Sequence, residues 1–474
     1  MSLSNTAEKL ARKEISSAEI TEECLAKIAE LDGKLGAFVS VFENEARDAA
    51  KAADALRSKG VDVGPLHGIP VAVKDLFHVR GHETRAGTRS HSIPPDLGTA
   101  AAVRKLTDAG MIVIGKTHTD EFAYGAWGVN KLFSSPWNPY DMDTHRVAGG
   151  SSSGSAVAVS AGLVPFALGS DTGGSARVPA SFCGCVGVKP SFGLIDRKGM
   201  VPLSPSLDVV GFFANTIGDA SLLFDELVSV EKTGAREEKS ADVKRRGATV
   251  HSLEGVRIGF LPSRFLQNVN SDILRLYETS LDALKSSGAT LSEFRPPRPF
   301  SAYLTDTVSL VSAEIYTTFG QLAERLDSKM QPFIRERILD GKVVSASQYS
   351  VLLNRRNDAV AEMRLAIDGF DALVTPTCAE AAIPVAEVDL TAPATPYARF
   401  VNYLDLAGLS VPCGLTRAGL PAGVQVVVKR FEDRKMFEVG ACIESALGVL
   451  QPSALGNMWR CLLQSRGNRF LQPS

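Results

Sequence analysis

Apolar positions alternate between helical and strand spacing along the first half of the chain. Within Ser17–Leu31 they fall at Ile20, Cys24, Ile28 and Leu31, which predicts a helix with an acidic start at Glu19 and Glu22. Glu45–Lys59 is alanine-rich and predicts a second helix. Gly64–Pro70 is turn chemistry, and it feeds Val71–Asp75, a short buried-strand pattern whose apolar run ends on Lys74. Thr99–Gly110 then predicts a helix and Met111–Ile114 a strand. Strand, helix and strand in succession predict an α/β sheet.

The pattern breaks at Ser229–Glu254, which is charged and poor in apolar residues. Its most basic run, Lys244–Arg246, sits among Glu237, Glu238 and Asp242, so it predicts a solvated linker. Beyond it, Val256–Leu261 predicts a strand. Helical spacing follows in Ile273–Lys285, Tyr303–Leu339 and Ser347–Ile367. Ala372–Thr375 and Gly423–Val428 predict further strands, and Met436–Leu447 the last helix. Leu450–Ser474 is irregular, and the chain shows no internal repeat and no low-complexity tract.

Composition narrows the class. With 474 residues, 45% hydrophobic and 22% charged, the chain can bury a large core and has the balance of a soluble enzyme. A formal net charge of −2 gives no electrostatic case for nucleic acid or an acidic membrane surface. The N-terminal stretch is polar, without the apolar core of a signal peptide. The longest apolar stretch, Ala156–Gly169, is too short to span a bilayer and contains Pro165. A cytoplasmic location is therefore expected. The seven cysteines are scattered and odd in number, against a disulfide framework. Cys183 and Cys185 form the only close pair. With no second pair nearby to complete four ligands, they read as buried structural thiols, and no metal is expected.

The chemistry concentrates in Gly149–Ser175. Two clusters of glycine and serine, Gly149–Ser155 and Gly169–Ser175, flank the apolar segment Ala156–Leu168. Glycine lets backbone N–H groups converge on a small anionic target, and serine supplies a nucleophile or a relay. Gly150–Gly154 fits the nucleophile-elbow pattern with Ser152 as nucleophile, but only His251 follows it, inside the charged linker. A Ser-His-Asp arrangement is thus poorly supplied. The nucleotide-binding reading fails as well, because the first cluster lacks the closing Gly-Lys-Ser/Thr. A lysine can activate serine instead, provided burial keeps its amine neutral. Lys74, at the end of the apolar run Ile69–Val73, is placed for that, although most lysines are surface charges.

Three segments carry a resemblance: Gly64–Phe77, Gly149–Gly162 and Gly169–Gly184. In order and spacing they resemble the signature blocks of the amidase signature family of serine hydrolases, with Ser151 and Ser175 24 positions apart. Val188–Gly193, Pro202–Asp208 and Asn402–Gln425 match further blocks, so the similarity covers about residues 1–450. The resemblance implies an α/β fold with a central mixed, twisted sheet covered by helices on both faces. It implies one catalytic domain over 1–450, with a core at 60–228, the linker at 229–254, the second half of the sheet and a helical pocket region at 255–450, and a tail at 451–474.

It also implies a mechanism. Ser175 is the nucleophile, Ser151 bridges it to Lys74 after a cis peptide from Gly150, and Lys74 is the general base. The N–H groups of Thr172, Gly173, Gly174 and Ser175 form the oxyanion hole. Asp171 and Arg177 pair to brace the loop, and Ser152 and Ser153 hydrogen-bond it. Phe122, Ala123, Tyr124, Gly125, Trp127 and Gly150 match the segments that line the acyl pocket, where aromatics would suit an aryl or indole group or else pack in the core. No arginine beyond Arg177 stands out for a dicarboxylate substrate. The expected reaction is hydrolysis of a small carboxylic amide, with no cofactor, no nucleic acid and no membrane, and with a homodimer as the suggested assembly. Competing readings are an amidase-like subunit of a tRNA-dependent amidotransferase and a urethane or ester hydrolase with the same triad. The intact Lys74, Ser151 and Ser175 speak against a decayed scaffold.

Overall fold

Eleven strands form one mixed sheet in a computed structural model that describes residues 3–61, 64–90, 97–228, 252–392 and 396–451. The charged segment 229–251, with Lys244–Arg246 and His251, and the tail 452–474 lie outside the described residues. In chain order the strands are β1 (Phe38–Val41), β2 (Pro70–Lys74), β3 (Ile112–Thr117), β4 (Phe166–Asp171), β5 (Val186–Lys189), β6 (Val209–Ala214), β7 (Arg257–Phe260), β8 (Thr290–Glu293), β9 (Ala372–Pro376), β10 (Ala407–Leu415) and β11 (Pro421–Val428). Across the sheet the order is β1-β3-β2-β4-β6-β5-β10-β11-β9-β7-β8. β2 runs parallel to β3 and β4, and β7 runs parallel to β8 and β9. The remaining pairs are antiparallel.

Burial explains the composition of the central strands. Every residue of β2, β4, β5, β6, β9 and β11 is buried. A strand buried at successive positions is covered on both faces, which is why these segments read as continuous apolar runs rather than alternating ones. Helices supply that cover: Ser153–Ser160 packs on β4, Arg177–Cys183 on β5, and Asp433–Leu447 on β10.

Most predicted elements are present with shifted ends. The first long helix runs from Ser17 to Leu35, started by a capping box between Ser16 and Glu19. One prediction is corrected. Tyr303–Leu339 is two helices, Ala302–Glu324 and Pro332–Leu339. The first helix ends where Arg325 turns extended (φ −67°, ψ 128°), and Pro332 opens the second, at a position where its missing N–H costs nothing and where it biases Gln331 to φ −59°, ψ 130°. The Gln331 N–H instead donates to the buried Glu121 carboxylate at 2.8 Å. Among the described residues no helix is long and apolar enough to cross a membrane.

Candidate active site

The parallel pairing of β2 and β4 sets Val73 beside Leu168, so both strands end at the same edge of the sheet. In α/β sheets, ligands bind at the carboxyl ends of parallel strands. That edge carries Lys74 at the end of β2 and Ser170–Asp171 at the end of β4. The two glycine–serine clusters fold over it. The first crosses a cis peptide between Gly150 and Ser151 and opens directly into the helix Ser153–Ser160. Gly150 has to be glycine: a Cβ there would come 2.3 Å from Asp120 Oδ2 and 2.6 Å from Gly128 N.

Lys74 is fully buried. Its Nζ lies 2.8 Å from Ser151 Oγ, 2.9 Å from Ser152 Oγ and 2.9 Å from Ser170 Oγ. Ser152 Oγ donates to the Ser170 carbonyl at 3.1 Å, so toward Lys74 it acts as an acceptor. Ser151 Oγ and Ser170 Oγ each meet only Lys74 among the described residues, so either hydroxyl is free to donate to a neutral amine. Burial pushes Lys74 down to about 7, against the carboxylates of Asp120, Asp171 and Asp208. A neutral amine at that position is the state a general base requires.

Ser175 is almost buried and lines a cavity of about 50 Å³ with Gly150, Thr172 and Gly173. Its Oγ has no hydrogen bond among the described residues. The Ser151–Ser175 link that a relay requires is therefore not made in this structure. Catalytic hydrogen bonds are often long before substrate binds. The two serine loops are joined by the backbone instead, Ser152 N–H donating to the Ser175 carbonyl at 3.2 Å.

Asp171 and Arg177 form a fully buried ion pair. Arg177 donates Nε–H and Nη2–H to the two Asp171 oxygens, at 3.1 and 3.0 Å. Its remaining donors go to the Ala398 carbonyl, Gln425 Oε1 and Asn402 Oδ1. All five guanidinium N–H groups are used, so Arg177 cannot hold substrate. Burial alone would raise Asp171, but the Arg177 charge overrides it and holds the carboxyl below its usual range. Asp171 in turn accepts from the Gly174 N–H (2.8 Å) and the Ala176 N–H (3.1 Å). That corrects one expectation: the Gly174 amide is already bound and is not open to an oxyanion. The N–H groups of Thr172, Gly173 and Ser175 make no backbone hydrogen bond among the described residues. Arg177→Met is predicted to leave Asp171 charged and unpaired in the core, at a cost of about 3–5 kcal/mol. A denaturant midpoint that does not move would refute this.

Two aromatics expected in the acyl pocket are packing residues. The Phe122 ring packs against Phe319 with centroids 4.2 Å apart and the planes tilted by 32°, and Trp127 packs against Phe182 and donates Nε1–H to the Ala392 carbonyl. Ala123, Tyr124, Gly125 and Gly150 do line the cavity. The Ser153 hydroxyl is buried without a partner among the described residues, so it does not hydrogen-bond the loop. Cys183 and Cys185 are buried free thiols.

Sequence reasoning missed five residues. Ser170 is the third hydroxyl on Lys74. Asp208 holds Thr172, accepting its hydroxyl at 2.6 Å, and burial pushes it up to about 6. Asp120 is buried behind Gly150, and burial pushes it up to about 7 against the Lys74 charge. The register of β3, which pairs Thr117 with Lys74, sets the residues just past β3 beside Lys74. Arg337 and Arg399 also line the cavity, contrary to the expectation that Arg177 alone could serve an anion. Nothing local marks them, because they reach the site from beyond residue 330.

The family model described as Amidase matches residues 19–437, and the chain belongs to the amidase signature family. It is similar to a glutamyl-tRNA(Gln) amidotransferase subunit from Anaeromyxobacter dehalogenans (strain 2CP-C), 34% identical over 473 residues, covering 93% of this chain and 95% of that protein. A crystal structure of an amidase superposes with a TM-score of 0.83 at 30% identity, covering 94% of this chain and 100% of the other. The native peptide amidase from Stenotrophomonas maltophilia superposes with a TM-score of 0.82 at 26% identity, covering 95% and 98%. The chain is thus an amidase signature enzyme acting on C–N bonds.

Proposed function

We propose that this chain hydrolyses a small carboxylic amide to the acid and ammonia or an amine, through an acyl-enzyme on Ser175. The observation that carries the reading is Lys74: fully buried, pushed toward its neutral form, and 2.8 Å from Ser151 beside the cavity that holds Ser175.

In this mechanism Ser175 Oγ attacks the amide carbonyl while its proton passes through Ser151 to Lys74. The N–H groups of Thr172, Gly173 and Ser175 hold the oxyanion. The relay then returns the proton to the leaving nitrogen, without which an amide cannot depart. Water, deprotonated by the same relay, releases the acid. The positive φ of Gly174 (+121°) belongs to this design: a Cβ there would lie 2.6 Å from Ala398 Cβ.

Asp120 tunes the base. Its carboxylate favours the charged lysine, so Asp120→Asn is predicted to lower the Lys74 pKa further. The acid limb of the kcat/KM profile should then move to lower pH. A limb that stays in place or moves up contradicts this role.

A second reading has its own support. The 34% identity to an amidotransferase subunit over nearly the whole chain fits an amidase-like protein that works with partners. Ammonia release by the purified chain alone, across a panel of small amides, urethanes and esters, separates the possibilities. Amide turnover without any other protein supports the hydrolase. Activity only on urethanes or esters, or none without a partner, counts against it.

A further inference from the structure

The amide-hydrolase reading leaves open what aims the oxyanion donors, and the peptide between Asp171 and Thr172 bears on that. Asp171 is the last residue of β4 and pairs with Val209 of β6. Strand pairing stops there, one residue short of Thr172. Thr172 lines the cavity with Ser175 and Gly173.

Two buried side chains take over where the strand ends. The Thr172 hydroxyl donates to Asp208 Oδ1 at 2.6 Å. Asp208 precedes Val209, so the register that sets Val209 against Asp171 brings it to Thr172. The other Asp208 oxygen accepts the N–H groups of Leu203 (2.9 Å) and Ser204 (3.0 Å), which fixes the carboxylate. Asn402 acts on the other end of the peptide, its Nδ2 donating to the Asp171 carbonyl at 3.0 Å. It sits in the short helix Arg399–Tyr403, and its Oδ1 accepts from Arg177 at 2.7 Å. A guanidinium only donates, so Asn402 must turn its oxygen to Arg177 and its N–H to the carbonyl.

A trans peptide is planar, with its C=O and N–H pointing in opposite directions. The bond between Asp171 and Thr172 is trans. A grip on the Asp171 carbonyl therefore also sets the direction of the Thr172 N–H, and the grip of Asp208 on the Thr172 side chain holds the same unit from its far end. These contacts differ from the Asp171 carboxylate bonds, which secure the loop through the Gly174 and Ala176 amides.

We propose that Asn402 and Asp208 are positioning residues for the reaction, which hold the peptide plane between Asp171 and Thr172 so that the Thr172 N–H meets the oxyanion. This rests on the acyl-enzyme reading above. Neither side chain lines the cavity among the described residues, so both act through Thr172. Their effect falls on the step in which negative charge develops, and ground-state binding is left nearly unchanged.

The test is the labelling of Ser175 by a fluorophosphonate, whose phosphoryl oxygen takes the oxyanion's place. Its maximal rate and its half-saturating concentration are measured on the wild type, Thr172→Val, Thr172→Ser, Asn402→Asp and the double variant Thr172→Val/Asn402→Asp. Thr172→Val keeps the shape and removes the hydroxyl. Asn402→Asp keeps an oxygen for Arg177 and sets an acceptor against the Asp171 carbonyl. A melting curve reports the folding of each protein. Each of these two variants is expected to lower the maximal rate about ten- to hundredfold, below the loss of a whole oxyanion donor, with the half-saturating concentration within about twofold of wild type. Thr172→Ser should restore most of the rate. The double variant should be little slower than the worse single one, because both changes release the same plane. Single variants that label as fast as the wild type overturn the proposal. So does a half-saturating concentration that rises in step with the lost rate, a Thr172→Ser as slow as Thr172→Val, or losses that multiply in the double variant. In each of those cases a wild type labelled on Ser175 leaves the hydrolase reading standing. If the wild type takes no label on Ser175, that reading fails and the positioning role falls with it.

Discussion

Ser175→Ala is expected to lower kcat/KM for amide hydrolysis by about 10⁴- to 10⁶-fold, the range seen when a serine hydrolase loses its nucleophile. The change removes one oxygen and little else. The Ser175 carbonyl still accepts the Ser152 N–H, and the braces on the loop through Asp171 and Arg177 do not involve the Ser175 side chain. The variant should therefore melt close to the wild type, and steady-state kinetics with a melting curve check both points. Near-full activity in Ser175→Ala would place the nucleophile elsewhere. Ser152 is the obvious alternative in the sequence, but its hydroxyl is committed to Lys74 and to the Ser170 carbonyl, and it does not line the cavity.

Lys74→Ala is expected to lower kcat by about 10²- to 10⁴-fold, the usual contribution of a general base. The pH profile is the more telling readout. Burial sets the lysine at about 7, so the fraction in the basic form rises as pH increases through that value. Wild-type kcat/KM should climb about tenfold per unit below pH 7 and level off above it. Lys74→Ala should lose that limb. Removing the stem also opens a cavity and strips Ser151, Ser152 and Ser170 of their common partner, so damage to the fold adds to the loss. Lys74→Met keeps most of the volume and separates the effects. A methionine variant that melts normally, is slow, and has a flat profile supports the base. One that retains the limb near pH 7 assigns it to another group, with Asp120 the first to examine.

The legible parts of the molecule were those set by local pattern. The apolar run that ends on Lys74 is β2, and its lysine is buried as the desolvation argument requires. The amphipathic helices at Ser17, Ser271 and Ala346 lie close to their predicted places because side-chain periodicity and caps are encoded nearby. Where a distant contact decides, the sequence was less informative. The start of the second helix is marked by Pro332, which was visible, while the Gln331 N–H is held by Glu121, some two hundred residues earlier, which was not. Phe122 and Trp127 looked like pocket aromatics because they sit beside residues that do line it, but Phe319 and Phe182 take their ring faces. The Gly174 amide looked available until Asp171 folded back onto it. Ser170, Asp120, Asp208, Arg337 and Arg399 converge from five separate segments, and no spacing rule joins them.

The lysine relay is tested most directly by reaction of the purified chain with a fluorophosphonate probe, followed by peptide mapping of the modified serine. A single label is predicted, on Ser175, that fails to form in Ser175→Ala and forms more slowly below pH 7 as Lys74 becomes protonated. A label on Ser152, or labelling that persists in Ser175→Ala, would contradict the relay.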